Sequence, residues 1–221
     1  IARLTLYSAN GWQKQGNTEN TIQEKLERIL QEISGAETEV FGSGRTDAGT
    51  HAMGQVANFH LPDGCRPDAE WIRTYLNQYL PDDIAITELI MVPERFHSRL
   101  SAVKKIYTYQ IETGIKKNVF SRRTCYGLGQ PLNVKVMQTA ANLLCGTHDY
   151  KSFCGNKKMK KSTVRTIYRI AVEQEADSSL VKLEFEGTGF LQNMVRILVG
   201  TLIEVGTGKR EPGSMPEILA A

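Results

Sequence analysis

The sequence predicts an α+β protein of two domains, and three observations carry that prediction. Strand-like and helix-like periodicities are mixed along the chain without the strict alternation that builds a parallel sheet. Two alternating runs, Val164 to Gln174 and Leu180 to Glu186, flank Asp177-Ser-Ser179 and read as an antiparallel hairpin. The charge also changes sign: through Ser98 there are 8 Lys and Arg against 14 Asp and Glu, net −6, and from Arg99 onward 19 against 10, net +9. That shift places the domains at 1–98 and 99–221.

The elements follow in order. Arg3 to Tyr7 reads as a short strand. Thr21-Ile-Gln-Glu24 is a capping-box pattern, and Ile22, Leu26, Ile29, Leu30 and Ile33 keep helical spacing until Gly35 stops them. Gln55 to Leu61 alternates as a strand, with Ala57, Phe59 and Leu61 on one side and Val56, Asn58 and His60 on the other. A helix from Asp68 to Leu80 carries Trp71, Ile72, Tyr75, Leu76 and Tyr79 inward and ends at Pro81. Ile106 to Glu112 is a strand, and Val134 to Cys145 is a helix with Met137, Ala140, Ala141 and Leu144 on one face. After the hairpin, Phe190 to Val205 returns to helical spacing.

Composition narrows the class. With 221 residues, 41% of them hydrophobic and 23% charged, the chain can bury a substantial core without staples. The longest apolar stretch, Leu191 to Val205, is interrupted by Gln192, Asn193, Arg196 and Glu204, too soon for a membrane span of about 20 apolar residues. Cys65, Cys125, Cys145 and Cys154 form no Cys-x-x-Cys pair, and the start is not signal-like, so a cytoplasmic protein is expected. Cys145, His148 and Cys154 lack a fourth ligand and zinc spacing, so no metal site is expected. Basic residues concentrate in Lys104-Lys105, Lys116-Lys117, Arg122-Arg123 and Lys157-Lys158-Met159-Lys160-Lys161, with Arg165 and Arg169 downstream. Such clusters suit polyphosphate chains, since each neutralised phosphate releases counterions, and equally a solvated face.

Chemistry points first to Phe41-Gly-Ser-Gly-Arg-Thr-Asp-Ala-Gly49, where three glycines mark sharp turning or close approach. A dinucleotide fingerprint would need glycine where Asp47 stands, and a phosphate-binding Walker loop would need Lys where Thr50 stands. What remains is Arg45 and Asp47 on a loop, with Asp47 either a turn cap or a reacting group. The helix from Phe190 carries Gln192, Asn193 and Arg196 as a polar stripe with Gly200. A guanidinium buried there calls for a carboxylate, and Asp47 is a plausible counter-ion that the pairing would keep charged. The alternative is that Arg196 reaches solvent. Gly187-Thr-Gly189 indicates close backbone approach to a ligand or another chain. Tyr107 and Tyr109 share a strand face, and with Phe153 they either stack on unpaired bases or belong to the core.

Six ordered motifs bring these features together. They are Gly11-Trp-Gln-Lys-Gln15 with Asn20-Thr-Ile-Gln23, Gly42-Ser-Gly-Arg-Thr-Asp-Ala-Gly-Thr-His-Ala52 with Gly54-Gln-Val56, Phe96-His-Ser-Arg99, Lys105-Ile-Tyr-Thr-Tyr109, His148-Asp149 with Phe153, and Gly187-Thr-Gly-Phe-Leu-Gln-Asn-Met-Val-Arg196. Together they span nearly the whole chain, which resembles the tRNA pseudouridine synthase A family. The resemblance implies a two-domain pseudouridine synthase fold with a central, mostly antiparallel sheet flanked by helices and an RNA-binding cleft. It implies that Asp47 is the catalytic aspartate, Arg196 its ion-pair partner and Tyr107 the aromatic stacked on the target base. Arg45, which would help extrude the uridine, joins Thr46, His51, Arg99, Lys105 and Phe190 on the substrate side. A cofactor-independent homodimer isomerising uridines 38 to 40 of the tRNA anticodon arm is the implied activity.

The sequence also departs from that family. Tyr7-Ser-Ala-Asn10 runs straight into Gly11-Trp12 where a Tyr-Asp-Gly loop is usual, and Gln192 and Thr50 stand where Arg and Val are common. Further residues are expected between Tyr7 and Gly11 and beyond Ala221. Two other classes stay open at this point: a catalytically silent RNA-binding or chaperone paralogue, and a small-molecule phosphate-binding enzyme. The last is disfavoured because no helix is expected directly after Gly49.

Overall fold

The computed structural model describes residues 1–6, 11–16, 18, 20–116 and 118–221, so the expected departure at Tyr7–Asn10 lies outside the described residues. The chain forms two compact units, Ile1–Ala102 and Val103–Ala221. The charge shift at Ser98 falls just ahead of that division.

In the first unit β1 (Ala2–Leu6) is central, and its alternate residues Ala2, Leu4 and Leu6 are buried. It pairs antiparallel with β3 (Ala52–Phe59) on one side and β4 (Ile84–Leu89) on the other, while β2 (Val40–Gly42) completes the sheet against β3. Helix α1 (Ile22–Ser34) starts where Thr21 accepts a hydrogen bond from Glu24 N, and it ends at left-handed Gly35. Helix α2 (Ala69–Tyr79) is capped by Asp68, which accepts from Glu70 N and Trp71 N. Ile22, Leu26, Ile29 and Leu30 of α1 and Ile72 and Leu76 of α2 share one core with the strands.

One expectation for this unit needs correction. Trp71 and Tyr79 are half-exposed, because the face of α2 that meets the core is the one carrying Ile72, Tyr75 and Leu76. The two rings instead flank Tyr75 along the helix surface, with ring centres 5.2 and 4.7 Å from it. Asn58, on the opposite face of β3 from Ala57, is also buried, and its Oδ1 accepts from Ser98 N at 2.8 Å.

In the second unit β5 (Lys105–Glu112), β8 (Val164–Gln174) and β9 (Leu180–Gly187) form the antiparallel centre of a sheet ordered β6-β5-β9-β8-β7. β7 (Gly146–Asp149) is antiparallel to β8, and β6 (Tyr126–Gly127) is a short parallel edge on β5. Helices α3 (Val134–Leu143), α4 (Met194–Gly206) and α5 (Met215–Ala220) cover it. Met137, Ala140, Ala141, Leu198, Leu202 and Met215 are wholly buried with Phe185 and Leu183 of β9. Among the described residues no helix is long and apolar enough to cross a membrane.

The helix expected from Phe190 begins only at Met194. Asn193 stands at its start with φ 57°, a left-handed conformation that interrupts helical geometry, so Gln192 and Asn193 lie outside the helix and the proposed polar stripe does not form. Arg196 is exposed, so the premise that its guanidinium needs a carboxylate to be buried does not hold. Gly187 does approach backbone closely, but the backbone is its own neighbour β8: a Cβ there would stand 2.6 Å from Thr166 O. Nothing lies within 4 Å of the same position on Gly189. Phe153 is core, packed near Tyr150, and cannot stack on a base.

Candidate active site

The loop after β2 is built from its roots upward. Ser43 N donates to Val56 O at 2.8 Å, and Ser43 Oγ meets Gln55 Oε1 at 3.2 Å. Gln55 is nearly buried, and its Nε2 donates to Gly44 O at 2.6 Å. One amide therefore ties two successive loop residues to β3. Further along, Thr50 N donates to Asp47 O at 3.0 Å, closing a turn whose third residue, Gly49, has φ 77°. That is the position at which a type II turn demands glycine, and a side chain would be strained there.

A second support comes from Gly11 and Trp12. Trp12 N donates to Thr46 O at 3.0 Å, and Gly11, with φ 90°, lies so close that a Cβ would sit 3.1 Å from the same carbonyl. The indole of Trp12 is buried against Gly42, where a Cβ would stand 2.6 Å from its Cζ2 and 2.7 Å from its Nε1. Gly11 and Trp12 are themselves held by α1, whose first two amides, Ile22 N and Gln23 N, donate to Gly11 O and Trp12 O at 3.2 and 3.0 Å. The orphan donors of that helix start thus become an anchor.

On this frame Arg45 and Asp47 are exposed and Thr46 is half-buried, with its Oγ1 turned inward and unpartnered among the described residues. His51 is half-buried directly before β3. The Phe96-His-Ser-Arg99 segment joins the same unit: Ser98 Oγ donates to Phe41 O at 2.6 Å and His97 packs on the Phe41 ring at 5.1 Å. Arg99, whose amide donates to His97 Nδ1 at 3.1 Å, is exposed. Asp47, Arg45, Thr46, His51 and Arg99 therefore share the first unit and one local scaffold.

The second unit holds the other candidates. Tyr107 of β5 meets Phe190 edge-on, with ring centres 5.1 Å apart. Lys105 begins the same strand, paired with Gly187. Burial pushes the Tyr109 hydroxyl above its ordinary value, and the nearby Arg196 charge acts in the opposite direction. Among the described residues of this unit no carboxylate is salt-bridged to Arg196.

The basic clusters separate into two kinds. Arg169 is engaged by Glu184 and Glu173 at 3.3 and 3.6 Å, Lys104 by Glu186 at 2.9 Å, and Arg165 donates to Ser162 O and Val164 O. Lys157, Lys158, Lys160 and Lys161 are exposed, while Met159 between them is half-buried against the core. Cys145, His148 and Cys154 serve other ends: His148 Nε2 contacts Cys145 O at 3.0 Å, and the Cys154 thiol points to Asn156 O. No group of three His, Cys, Asp or Glu among the described residues is placed to hold a metal ion.

Sequence reasoning missed Trp12 and Gln55 as parts of this site. The signal for Gln55 was available: it shares the strand parity of Ala57 and Phe59, so an amide occupies the apolar face.

The family described as tRNA pseudouridine synthase matches residues 7–100 and 140–221. The chain is 45% identical over 211 residues to tRNA pseudouridine synthase A 2 of Bacillus cereus, covering 96% of this chain and 84% of the relative. It is 47% identical over 201 residues to tRNA pseudouridine synthase A of Shouchella clausii, covering 90% and 76%. To the same-named protein of Brevibacillus brevis it is 45% identical over 201 residues, covering 91% and 81%.

Proposed function

The chain belongs to the tRNA pseudouridine synthase family, and on that premise we propose that it isomerises uridine to pseudouridine in the anticodon arm of tRNA, at positions 38 to 40. The observation that carries this is the loop itself: an exposed carboxylate, Asp47, beside an exposed Arg45, on a turn held from beneath by Gln55 and Trp12. Reacting groups on rigid supports keep a productive geometry.

The reaction breaks the C1′–N1 bond, turns the uracil and joins C5 to C1′. N1 gains a proton and C5 loses one, so no oxidant and no hydrolysis enter the balance. Asp47 in its carboxylate form supplies the oxygen that engages the sugar, by attack at C1′ or by taking a proton from the ribose. Arg196 is its counter-ion, and Tyr107, held edge-on by Phe190, stacks on the uracil. Arg45 fills the space the extruded uridine leaves, with Thr46, His51, Arg99 and Lys105 on the substrate side. The four exposed lysines around Met159 suit the phosphates of the stem. In this scheme residues 1–98 carry the acid and residues 99–221 the aromatic and guanidinium partners. The protein works as a homodimer in the cytoplasm, binding tRNA in a cleft.

Asp47→Asn tests the core of the proposal. The variant is expected to bind tRNA transcript as the wild type does and to form no pseudouridine. Turnover by that variant would refute the assignment, and would favour a protein that acts by RNA binding alone.

A further inference from the structure

The second unit carries a feature that the reaction does not use. Between β5 and β6 the chain leaves the sheet as an arm, described over residues 113–116 and 118–125, and returns to pair beside the point of departure, Ile111 opposite Tyr126. The base of the arm is fastened: Thr113 N and Oγ1 donate to Ser179 O at 2.9 and 2.8 Å, and Leu128 N donates to Glu112 O at 2.8 Å. Its tip is shaped by Asn118, whose Oδ1 accepts from Phe120 N and Ser121 N at 3.2 and 3.3 Å. Ser121 O then accepts from Thr124 N and Cys125 N, both at 2.9 Å. An Asx turn followed by a tight second turn is an ordered way to present a side chain.

The side chain presented is Phe120, which is 94% exposed, with Val119 beside it at 62%. A benzyl ring held fully in water is unfavourable unless something covers it. Lys116, Arg122 and Arg123 are exposed on the same segment, and the sequence contains no Asp or Glu from Thr113 to His148. An aromatic tip among cations, with no carboxylate on its own segment, is complementary to a polyanion that offers flat faces. Against a second copy of the same arm its charge is repulsive.

We propose that this arm is an RNA-contacting element: Phe120 stacks on an unpaired base, and Lys116 and Arg122 bind the flanking phosphates. It rests on the proposed tRNA activity and adds to it a place where the body of the substrate is gripped. Stacking on one base is worth about 1–3 kcal/mol, which converts to a loss of about 5- to 150-fold in affinity when the ring is removed. Each lost phosphate contact lowers the slope of log affinity against log salt by about 0.7 for a single strand.

The test uses the full chain and an unmodified tRNA transcript. Phe120→Ala is expected to raise the dissociation constant and KM by at least about fivefold, with kcat changing far less. Lys116→Gln with Arg122→Gln is expected to lower the salt slope by about one to two. Thermal unfolding of both variants, together with sedimentation, checks their folding and assembly. Unchanged KM and unchanged salt slope in both variants overturn the proposal. So does dissociation of an oligomer by Phe120→Ala, which would assign the tip to a subunit contact. If the wild type itself does not modify tRNA, the proposed activity fails; if it does and the arm variants match it, only the arm does.

Discussion

Gly42→Ala is the sharpest probe of how the Asp47 loop is held. The new Cβ would stand 2.6 Å from Cζ2 and 2.7 Å from Nε1 of Trp12, roughly an ångström short of the about 3.5–4.0 Å at which carbon atoms rest. Neither side can yield freely. Gly42 is the last residue of β2, paired with Ala57, and Trp12 is buried with its amide bonded to Thr46 O. Overpacking of this kind costs about 1–3 kcal/mol, so the first unit is expected to melt lower by about 4 °C or more. If the indole moves instead of the strand, Thr46 moves with it, and Asp47 is the next residue. If Asp47 is the reacting group proposed, its displacement by about 1 Å costs on the order of 10²-fold in rate. Calorimetry and pseudouridine formation at saturating tRNA measure the two effects. A variant with wild-type melting and wild-type kcat would show that Trp12 and Gly42 are not in the contact described, and the account of the loop would fall.

Other expectations follow from the same geometry. Gln55→Leu keeps the volume but leaves Gly44 O and Ser43 Oγ without the amide, so kcat is expected to fall more than tenfold while KM changes little, with Gln55→Asn recovering none of it because the shorter side chain cannot span the 2.6 Å bond; equal loss in KM and kcat would contradict the bracing role. In the second unit Tyr150 is buried, and its hydroxyl donates to Leu144 O at 2.8 Å and Gly146 O at 3.2 Å. Tyr150→Phe is expected to destabilise by about 1–3 kcal/mol in denaturant unfolding. Burial raises the Tyr150 ionisation well above the ordinary value near 10, so the unfolded chain loses that proton first and stability declines as pH climbs past about 10. The alkaline decline should be shallower in Tyr150→Phe, and an identical pH profile would count against this.

Where the sequence was legible, local chemistry and tertiary packing agreed. Thr21 and Gly35 delimit α1 because a side-chain cap and a left-handed glycine are properties of a few neighbouring residues. The hairpin of β8 and β9 was legible because both strands alternate around a short polar turn. The helix at Phe190 was misplaced because periodicity carries no information about Asn193 adopting φ 57°. Trp71 and Tyr79 were misplaced because hydrophobicity does not say how far the sheet beneath a helix extends. In the site, glycine spacing pointed to the Asp47 loop but not to what each glycine faces. Gly42 answers to Trp12, thirty positions away in sequence, whereas Gly49 answers only to its own φ. Long-range pairings such as Gln55 with Gly44 leave no periodic trace beyond one polar residue at an apolar register.

Arg196 separates two explanations of a charged residue on an apolar helix. Had its guanidinium been buried in α4, its loss would remove an internal ion pair and the unit would melt lower. Exposed, beside the raised Tyr109 hydroxyl and without a carboxylate partner among the described residues of its unit, it contributes little to folding. Arg196→Lys should therefore melt as the wild type does, within the scatter of surface substitutions. Lysine keeps the charge but not the planar fork that pairs two oxygens at once, so kcat should drop by at least tenfold with tRNA affinity nearly retained. Loss of stability with kcat intact would assign Arg196 to the architecture of α4 and leave Asp47 without its proposed counter-ion.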